Sequence, residues 1–219
     1  MKSAIKSSKV NRAWLNDHVN DTYVKLAQKD GYRARAAYKL KEIDESLHLI
    51  KPGQCVVDLG AAPGAWCQYV QRKLAIKGGA GRIIALDMLP MNPVEGVTCI
   101  EGDIRETAVL TRLKDEMHGQ LADIVLSDMS PNLSGISSVD AARVEQLVEL
   151  ALDFSKHHLK LEGVLVAKVF HGASYDILFR HFKETFVSVK CIKPKASRDK
   201  SAETFLVGLS LKSLKSEPS

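Results

Sequence analysis

The sequence predicts an α/β fold: a mostly parallel seven-stranded sheet with helices on both faces and an antiparallel hairpin at the C-terminus. Short apolar runs alternate with helical patterns along most of the chain, as they do in parallel sheets with crossover helices. The first apolar run ends in a glycine-containing turn that leads directly into a helix. The last two strand-like segments follow one another without a helix between them, which favours a hairpin.

The individual elements follow from apolar periodicity and from the glycines and prolines that separate the periodic segments. The predicted strands are Cys55–Leu59, Gly81–Asp87, Val97–Ile100, Ala122–Asp128, Gly163–Phe170, Phe186–Ile192 and Thr204–Leu211. The predicted helices are Ala34–Leu47, Gly64–Lys77, Thr107–Met117, Ser138–His158 and Tyr175–Phe182. No repeat or low-complexity linker divides them. We therefore predict a basic N-terminal arm (residues 1–30), one domain (residues 31–211) and a polar tail (residues 212–219).

Chain length and composition are those of an ordinary globular domain. The 219 residues suffice for one α/β core. No run of about 18 apolar residues is present, so no membrane span is expected. Residues 1–11 lack the apolar segment of a secretory signal, which predicts a cytoplasmic protein. The four cysteines form no Cys-x-x-Cys pair, so reduced thiols and no metal site are predicted. We expect a monomer.

The positive charge is concentrated near the N-terminus. Residues 1–41 carry ten Lys or Arg against three Asp, a net charge of +7. Since the whole chain carries +5, the remainder carries −2. A basic segment on a near-neutral domain predicts an anionic partner, most often nucleic acid. For residues 1–12 alone, a solvated tail explains the charge equally well.

The turn after the first strand is the strongest local indication of a ligand. Gly60 and Gly64 frame a tight turn that ends at Trp66, and a strand–glycine turn–helix unit is a common nucleotide site. The turn departs from the G-x-G-x-x-G fingerprint because it contains Pro63. This departure favours a ligand without a pyrophosphate, such as S-adenosylmethionine (SAM). Trp66 packs either on this cofactor or on the sheet.

Polar residues stand at the ends of the other predicted parallel strands, where ligands bind in open α/β sheets. Asp87 is expected to accept hydrogen bonds from the ribose hydroxyls of an adenosine, and Asp103 from its adenine amino group. Asp128 ends the fourth strand. Lys168 lies near the end of the otherwise apolar fifth strand, where a lysine is costly unless it is paired or functional. A structural ion pair with Asp128 is the alternative to a catalytic role.

Four segments together resemble the FtsJ-type ribosomal RNA 2′-O-ribose methyltransferases, and the similarity runs from Trp14 to Leu211. The matching segments are Gly31–Leu40, Asp58–Trp66, Ser127–Asn132 and Ala167–Phe170. The resemblance implies the Rossmann-like fold of SAM-dependent methyltransferases. It also places a Lys-Asp-Lys-Glu catalytic tetrad on Lys39, Asp128, Lys168 and Glu203. Ser130, where the family often has alanine, is a small departure.

The resemblance further implies a reaction and a substrate. The cofactor is SAM, bound by Gly60, Gly64, Trp66, Asp87, Asp103 and Asp128. The acceptor is a uridine in the A loop of bacterial 23S ribosomal RNA, within the 50S subunit. An organellar relative or a transfer-RNA methyltransferase remains compatible with the sequence. Lys168 acts either as a general base or as a cation that orients the hydroxyl.

The RNA-binding surface and two rival functions complete the sequence-based expectations. The helix that carries Lys39 and its neighbours Arg33 and Arg35 are expected to contact RNA, together with the basic residues Lys193, Lys195, Arg198 and Lys200. A nicotinamide-dependent dehydrogenase would share Gly60, Gly64 and Asp87 but gives no reason for the tetrad lysines. A non-catalytic RNA-binding factor would keep the fold and bind RNA without methyl transfer.

Overall fold

The computed structural model describes residues 21–75, 81–131, 134–135, 137–198 and 200–213. The first twenty residues of the predicted basic arm lie outside this part, as do the predicted helix end at Lys77, Asn132, and residues 214–219 of the predicted tail.

Helices and strands alternate along most of the described chain. The helices are α1 (Thr22–Asp30), α2 (Ala36–Leu47), α3 (Ala65–Leu74), α4 (Thr107–Glu116), α5 (Ser137–His158) and α6 (Tyr175–Thr185). The strands are β1 (Cys55–Leu59), β2 (Arg82–Asp87), β3 (Val97–Glu101), β4 (Ala122–Ser127), β5 (Leu159–Phe170), β6 (Phe186–Ile192) and β7 (Glu203–Leu211). No described helix is both long and apolar enough to cross a bilayer.

The strands form one seven-stranded sheet in the order β3-β2-β1-β4-β5-β7-β6. The first five strands in sequence pair in parallel, whereas β7 runs antiparallel to both β5 and β6. The predicted fold class and C-terminal hairpin are confirmed. The order in which successive strands are added to the sheet reverses between β1 and β4. The carboxyl ends of these two strands therefore flank the crevice where α/β sheets bind ligands.

The sheet is buried on both faces around β1, which is apolar at every position but one. In β1, Val57 and Leu59 pack with apolar residues of α4, α5 and α6. Val56 points to the opposite face and packs with α2 and α3. Asp58 is the polar exception and is fully buried. A strand enclosed in this way holds the turn that follows it in a fixed position.

Two elements differ most from the sequence prediction. Helix α1 lies inside the segment predicted as an arm: Asp21 caps its start by accepting hydrogen bonds from the N–H groups of Tyr23 and Val24, and Ala27 is buried. Strand β5 begins at Leu159, four residues earlier than predicted, because Leu159 pairs with Ala122 of β4 before a register shift. The β4–β5 pairing has no local sequence signal, whereas Asp21 at the start of α1 is a local one.

Candidate active site

A cavity of about 530 Å³ opens at the carboxyl edge of the sheet, which we call the strand-end cavity. Residues at or just after the ends of four parallel strands line it, namely Leu59, Gly60, Asp87, Gly102, Asp103 and Asp128. Its size lies within the usual range for small-molecule sites. Four predicted cofactor residues therefore share one cavity: Gly60, Asp87, Asp103 and Asp128. Gly64 and Trp66 do not line it.

The glycine turn is shaped by protein contacts. Gly60 has a φ of +74°, and a Cβ there would lie 2.9 Å from the backbone nitrogen of Met129. Gly64 has a φ of +98°, and a Cβ would lie 2.8 Å from the Arg33 guanidinium and from the Met91 sulfur. From the sequence, these glycines were expected to let a ligand approach the backbone closely. In the structure, Gly60 leaves room for the loop after β4, and Gly64 leaves room for the Arg33 side chain. This packing fixes the position of the cavity wall.

Asp87 connects the glycine turn to the segment after β2. Its Oδ2 accepts a 2.8 Å hydrogen bond from the N–H of Ala62, and its Oδ1 accepts one of the same length from Leu89. A carboxylate has about four acceptor positions, so capacity remains for further donors in the cavity. The predicted contact with ribose hydroxyls is compatible with this geometry and remains a prediction.

Asp103 has a charged partner that the sequence interpretation did not include. The Arg105 guanidinium forms a two-pronged ion pair with it, and Nε lies 2.9 Å from each carboxylate oxygen. Hydrogen bonding from Arg105 lowers the pKa of Asp103. The carboxylate therefore stays ionised as an acceptor at the cavity wall. Its predicted contact with an adenine amino group remains a prediction.

Trp66 belongs to the core rather than to the cavity. It is 3% exposed, its Nε1 donates a 2.7 Å hydrogen bond to the carbonyl of Ala36, and its ring lies 5.8 Å from that of Phe205. Of the two alternatives left open by the sequence, the structure supports packing on the sheet. The cofactor contact assigned to Trp66 is corrected accordingly, because its polar atom is already satisfied on the face toward α2.

The four tetrad residues form two ion pairs. Lys168 is 7% exposed. Its Nζ lies 2.9 Å from Asp128 Oδ1 and donates a 2.7 Å hydrogen bond to the backbone carbonyl of Asp128. Lys39 Nζ lies 2.7 Å from both carboxylate oxygens of Glu203. Each ammonium is thus compensated, as burial requires.

The register of β5 against β7 brings the two ion pairs together. Lys168 stands opposite Phe205, and Phe170 stands opposite Glu203. Lys168 and Glu203 are therefore diagonal neighbours on one face of the sheet. Burial raises the pKa of Glu203, but the charge of Lys39, hydrogen bonds from Lys39 and Ser197, and the charge of Lys168 together outweigh burial, so the pKa lies below its ordinary value. Glu203 is accordingly a carboxylate near neutral pH.

Arg33 and Arg35, which were expected to contact RNA, have partners within the protein. The Arg33 guanidinium donates to the carbonyls of Pro63, Asn92 and Pro93, and so joins the glycine turn to the segment before β3. Arg35 pairs with Asp21 and donates to the carbonyl of Ala196. Both side chains therefore brace the protein, although Arg33 stays exposed, and their contact with RNA remains a prediction.

Apolar side chains contribute much of the cavity lining, and sequence reasoning missed them. They include Met88, Leu89, Ile104, Met129 and Pro131. Met88 and Leu89 are each 64% exposed. Two exposed apolar residues lie directly after the aspartate that ends β2. This pattern in the sequence could have predicted an apolar surface for an adenosine. In the part of the chain that the structure describes, no cluster of His, Cys, Asp and Glu could hold a metal ion.

Asp58 is a buried acid behind the cavity. It is fully buried, Cys67 Sγ lies 3.0 Å from its Oδ2, and among described residues its Oδ1 has no hydrogen-bond partner. Burial raises the pKa of Asp58 to about 7, with further contributions from Asp128 and Asp87. Because the folded state binds this proton more tightly than the unfolded state, the contribution of Asp58 to stability falls as the pH rises from the ordinary pKa of 3.8 to about 7.

We expect Asp58→Asn to remove most of this pH dependence. Between pH 5 and pH 8 the wild-type free energy of unfolding should fall by on the order of a few kcal/mol relative to that of the variant. Denaturant unfolding at the two pH values measures the difference. The exposed acid Asp115 offers a matched control, and Asp115→Asn should track the wild type. Parallel curves for wild type and Asp58→Asn would contradict the assignment.

Comparison with known proteins agrees with this geometry. A sequence model of the FtsJ-like methyltransferase family matches residues 32–211. A protein of Albidiferax ferrireducens named ribosomal RNA large subunit methyltransferase E is 71% identical over 97% of this chain and 99% of its own length. A protein of the same name from an Acidovorax species is 64% identical, with 97% of this chain and 99% of its own length covered.

The fold is also similar to a solved structure. A Plasmodium falciparum protein described as a ribosomal RNA methyltransferase superposes with a TM-score of 0.73 at 29% identity, covering 82% of this chain and 98% of its own. The family match spans the tetrad, the glycine turn and all seven strands. The chain therefore belongs to the FtsJ-like methyltransferase family.

Proposed function

We propose that this protein transfers a methyl group from SAM to the 2′-hydroxyl of a uridine in the A loop of 23S ribosomal RNA, within the 50S subunit. The observation that carries the proposal is the Lys168–Asp128 pair. Asp128 lines the strand-end cavity, and Lys168 links it electrostatically to the Lys39–Glu203 pair. Close relatives bear the name ribosomal RNA large subunit methyltransferase. A monomer that acts in the cytoplasm is part of the same proposal.

The cavity residues fit SAM. Apolar side chains such as Met88 and Leu89 offer a surface for adenine, and Asp87 offers acceptors for ribose hydroxyls. Asp128 places a carboxylate at the cavity wall, which suits a ligand with an ammonium and a sulfonium. When bound, SAM supplies an electrophilic methyl group on a positively charged sulfur.

The tetrad orients the acceptor oxygen. Lys168 has three N–H donors. One donates to the backbone carbonyl of Asp128, and the ammonium also forms an ion pair with Oδ1 of that residue. Another N–H can donate to the ribose 2′-oxygen, which turns a lone pair of that oxygen toward the methyl carbon. In this role the hydroxyl proton leaves to water. In the alternative role, a neutral Lys168 amine takes the proton itself.

Lys39 and Glu203 hold the other side of the acceptor. Glu203 fixes the Lys39 ammonium, and Lys39 adds a second positive charge beside the oxygen that becomes electron-rich as its proton departs. RNA is the natural substrate for such a site because the 2′-hydroxyl distinguishes it from DNA. Neither a dehydrogenase nor a passive RNA-binding factor would need two buried lysine–carboxylate pairs at this edge.

Incubation with methyl-labelled SAM tests the proposed function. The purified protein is offered 50S subunits, free 23S RNA and transfer RNA in parallel, and the labelled nucleotide is mapped. We expect label on the 2′-oxygen of one A-loop uridine. Label confined to transfer RNA would replace the substrate, and RNA binding without any label would support the non-catalytic alternative. Tight NAD binding without SAM binding would remove the methyltransferase proposal.

The exposed lysines of the loop before β7 are the better candidates for RNA phosphates. Lys195 and Lys200 are exposed, and within the described residues neither ammonium has an ion-pair partner. We expect the double change Lys195→Ala and Lys200→Ala to weaken RNA binding and to reduce the log–log salt slope by about 1.5, since each phosphate contact contributes roughly 0.7–0.9. Filter binding at several salt concentrations measures it.

A matched control for this surface uses two lysines on another part of the chain. Lys156 lies in the last turn of α5 and Lys183 in the last turn of α6, away from the carboxyl edge of the sheet. Replacing both by alanine removes the same charge and should leave the slope unchanged. Equal slopes for all three proteins would place the RNA surface elsewhere.

A further inference from the structure

A buried serine contacts the carboxylate of the tetrad. Ser197 lies in the loop between β6 and β7, yet it is 3% exposed, whereas Lys195, Arg198 and Lys200 around it are exposed. Its Oγ donates a 2.8 Å hydrogen bond to Oε1 of Glu203. Glu203 is itself 8% exposed. A neutral donor buried against a carboxylate holds that group in one orientation.

The loop that carries Ser197 is fastened to α2 at the preceding residue. The Ala196 N–H donates a 3.0 Å hydrogen bond to Oε1 of Glu42, and the Lys195 N–H donates to the other oxygen of the same carboxylate. The Ala196 carbonyl accepts a hydrogen bond from Arg35, directly before α2. Both backbone polar groups of Ala196 are thus satisfied by side chains, which fixes the position of Ser197.

These contacts close a ring. Lys39 and Glu42 are three residues apart on α2 and share a helix face. Lys39 holds Glu203, Glu203 accepts from Ser197, and the loop beside Ser197 returns to Glu42. Without Ser197, Lys39 is the one partner that Oε1 of Glu203 keeps among the described residues, and the side chain of Glu203 gains freedom to rotate.

We propose that Ser197 is a positioning residue for methyl transfer: it fixes the carboxylate of Glu203 and, through it, the ammonium of Lys39 at the acceptor ribose. The inference rests on the proposed function, because only that function gives Lys39 and Glu203 a part in the reaction. Ser197 touches no reacting atom itself. Its effect must therefore fall on the rate of the chemical step and leave SAM affinity unaltered.

Three serine variants test the role. Ser197→Ala should lower the single-turnover rate of methyl transfer on the order of tenfold, the effect of losing one hydrogen bond to a charged group. Ser197→Thr keeps the hydroxyl and should restore most of the rate. Ser155→Ala is the matched control, since Ser155 is fully buried in α5 and donates only to the carbonyl of Ala151. It should retain the wild-type rate.

The pH profile separates positioning from a general loss of stability. The charged groups around Glu203 are Lys39, Lys168 and Arg35. Burial raises the pKa of Glu203, and the hydrogen bond from Ser197 acts with the lysines to lower it. Without that bond the pKa rises, so the acidic limb of the rate profile of Ser197→Ala should move to higher pH. A protein that is merely less stable would lose rate without moving this limb.

Several outcomes overturn the proposal. They are a wild-type rate and profile in Ser197→Ala, an equal loss at every pH without rescue by threonine, and full activity in Glu203→Gln. In each of these cases the wild type still methylates RNA, so the proposed function stands while the inference falls. A wild-type protein that methylates no RNA would overturn the proposed function itself, and this inference with it.

Discussion

Lys168→Ala is expected to abolish methyl transfer while the protein still folds and binds SAM. Loss of proton transfer costs about a hundred- to ten-thousand-fold in rate, and loss of charge stabilisation can cost a similar factor. The Lys168 ammonium contacts both the side chain and the backbone carbonyl of Asp128, but Lys168 itself does not line the strand-end cavity. Single-turnover methyl incorporation and SAM titration separate the two effects.

The same strand provides a matched control. Lys160, near the opposite end of β5, forms an ion pair with Asp123 at 2.6 Å, and Lys160→Ala removes a comparable contact far from the cavity. We expect Lys160→Ala to lose some stability and little methyl-transfer activity.

Lys168→Arg should also have low methyl-transfer activity, because a guanidinium cannot act as a base and its planar fork differs in shape from an ammonium. Substantial activity in a folded Lys168→Ala would leave Lys168 as a structural partner of Asp128 and direct attention to Lys39.

Asp87→Ala is expected to produce the largest loss of cofactor affinity. A hydrogen bond to a charged group contributes about 1.5–3 kcal/mol, and two such bonds to ribose hydroxyls correspond to at least about a hundredfold in Kd. The structure adds a second cause: Asp87 also holds the N–H groups of Ala62 and Leu89, so the variant loosens the glycine turn. Calorimetric titration with SAM and with S-adenosylhomocysteine measures the change.

The control for Asp87 comes from the neighbouring strand. Glu101 is aligned with Asp87 in the β2–β3 register, is exposed and does not line the strand-end cavity. Glu101→Ala therefore removes a carboxylate at the same sheet edge and should leave SAM affinity unchanged. An unaltered Kd in a folded Asp87→Ala would refute the assigned role.

Much of the fold could be predicted because its signals are local. Buried parallel strands are continuous apolar runs, and glycine turns mark their ends. For this reason Cys55–Leu59 agrees with the structure at both ends. Phe186–Ile192 also agrees at both ends, although it is a partly exposed antiparallel edge strand. Lys168 and Asp128 stand out in the same way, as a lysine in an apolar strand and an aspartate at a strand end, whereas Lys39 and Glu203 were assigned through the family resemblance.

Other features depended on contacts between residues far apart in the sequence. The sequence determined that Arg33, Arg35, Trp66 and Ser197 are present, but only the tertiary structure decided what each one touches. Arg33 braces the glycine turn, and Trp66 turns its ring to the core. Ser197 reaches Glu203 only because Glu42 and Arg35 fasten its loop to α2. Side-chain direction is set by packing and by the need to pair buried polar groups, and neither leaves a periodic mark in the sequence.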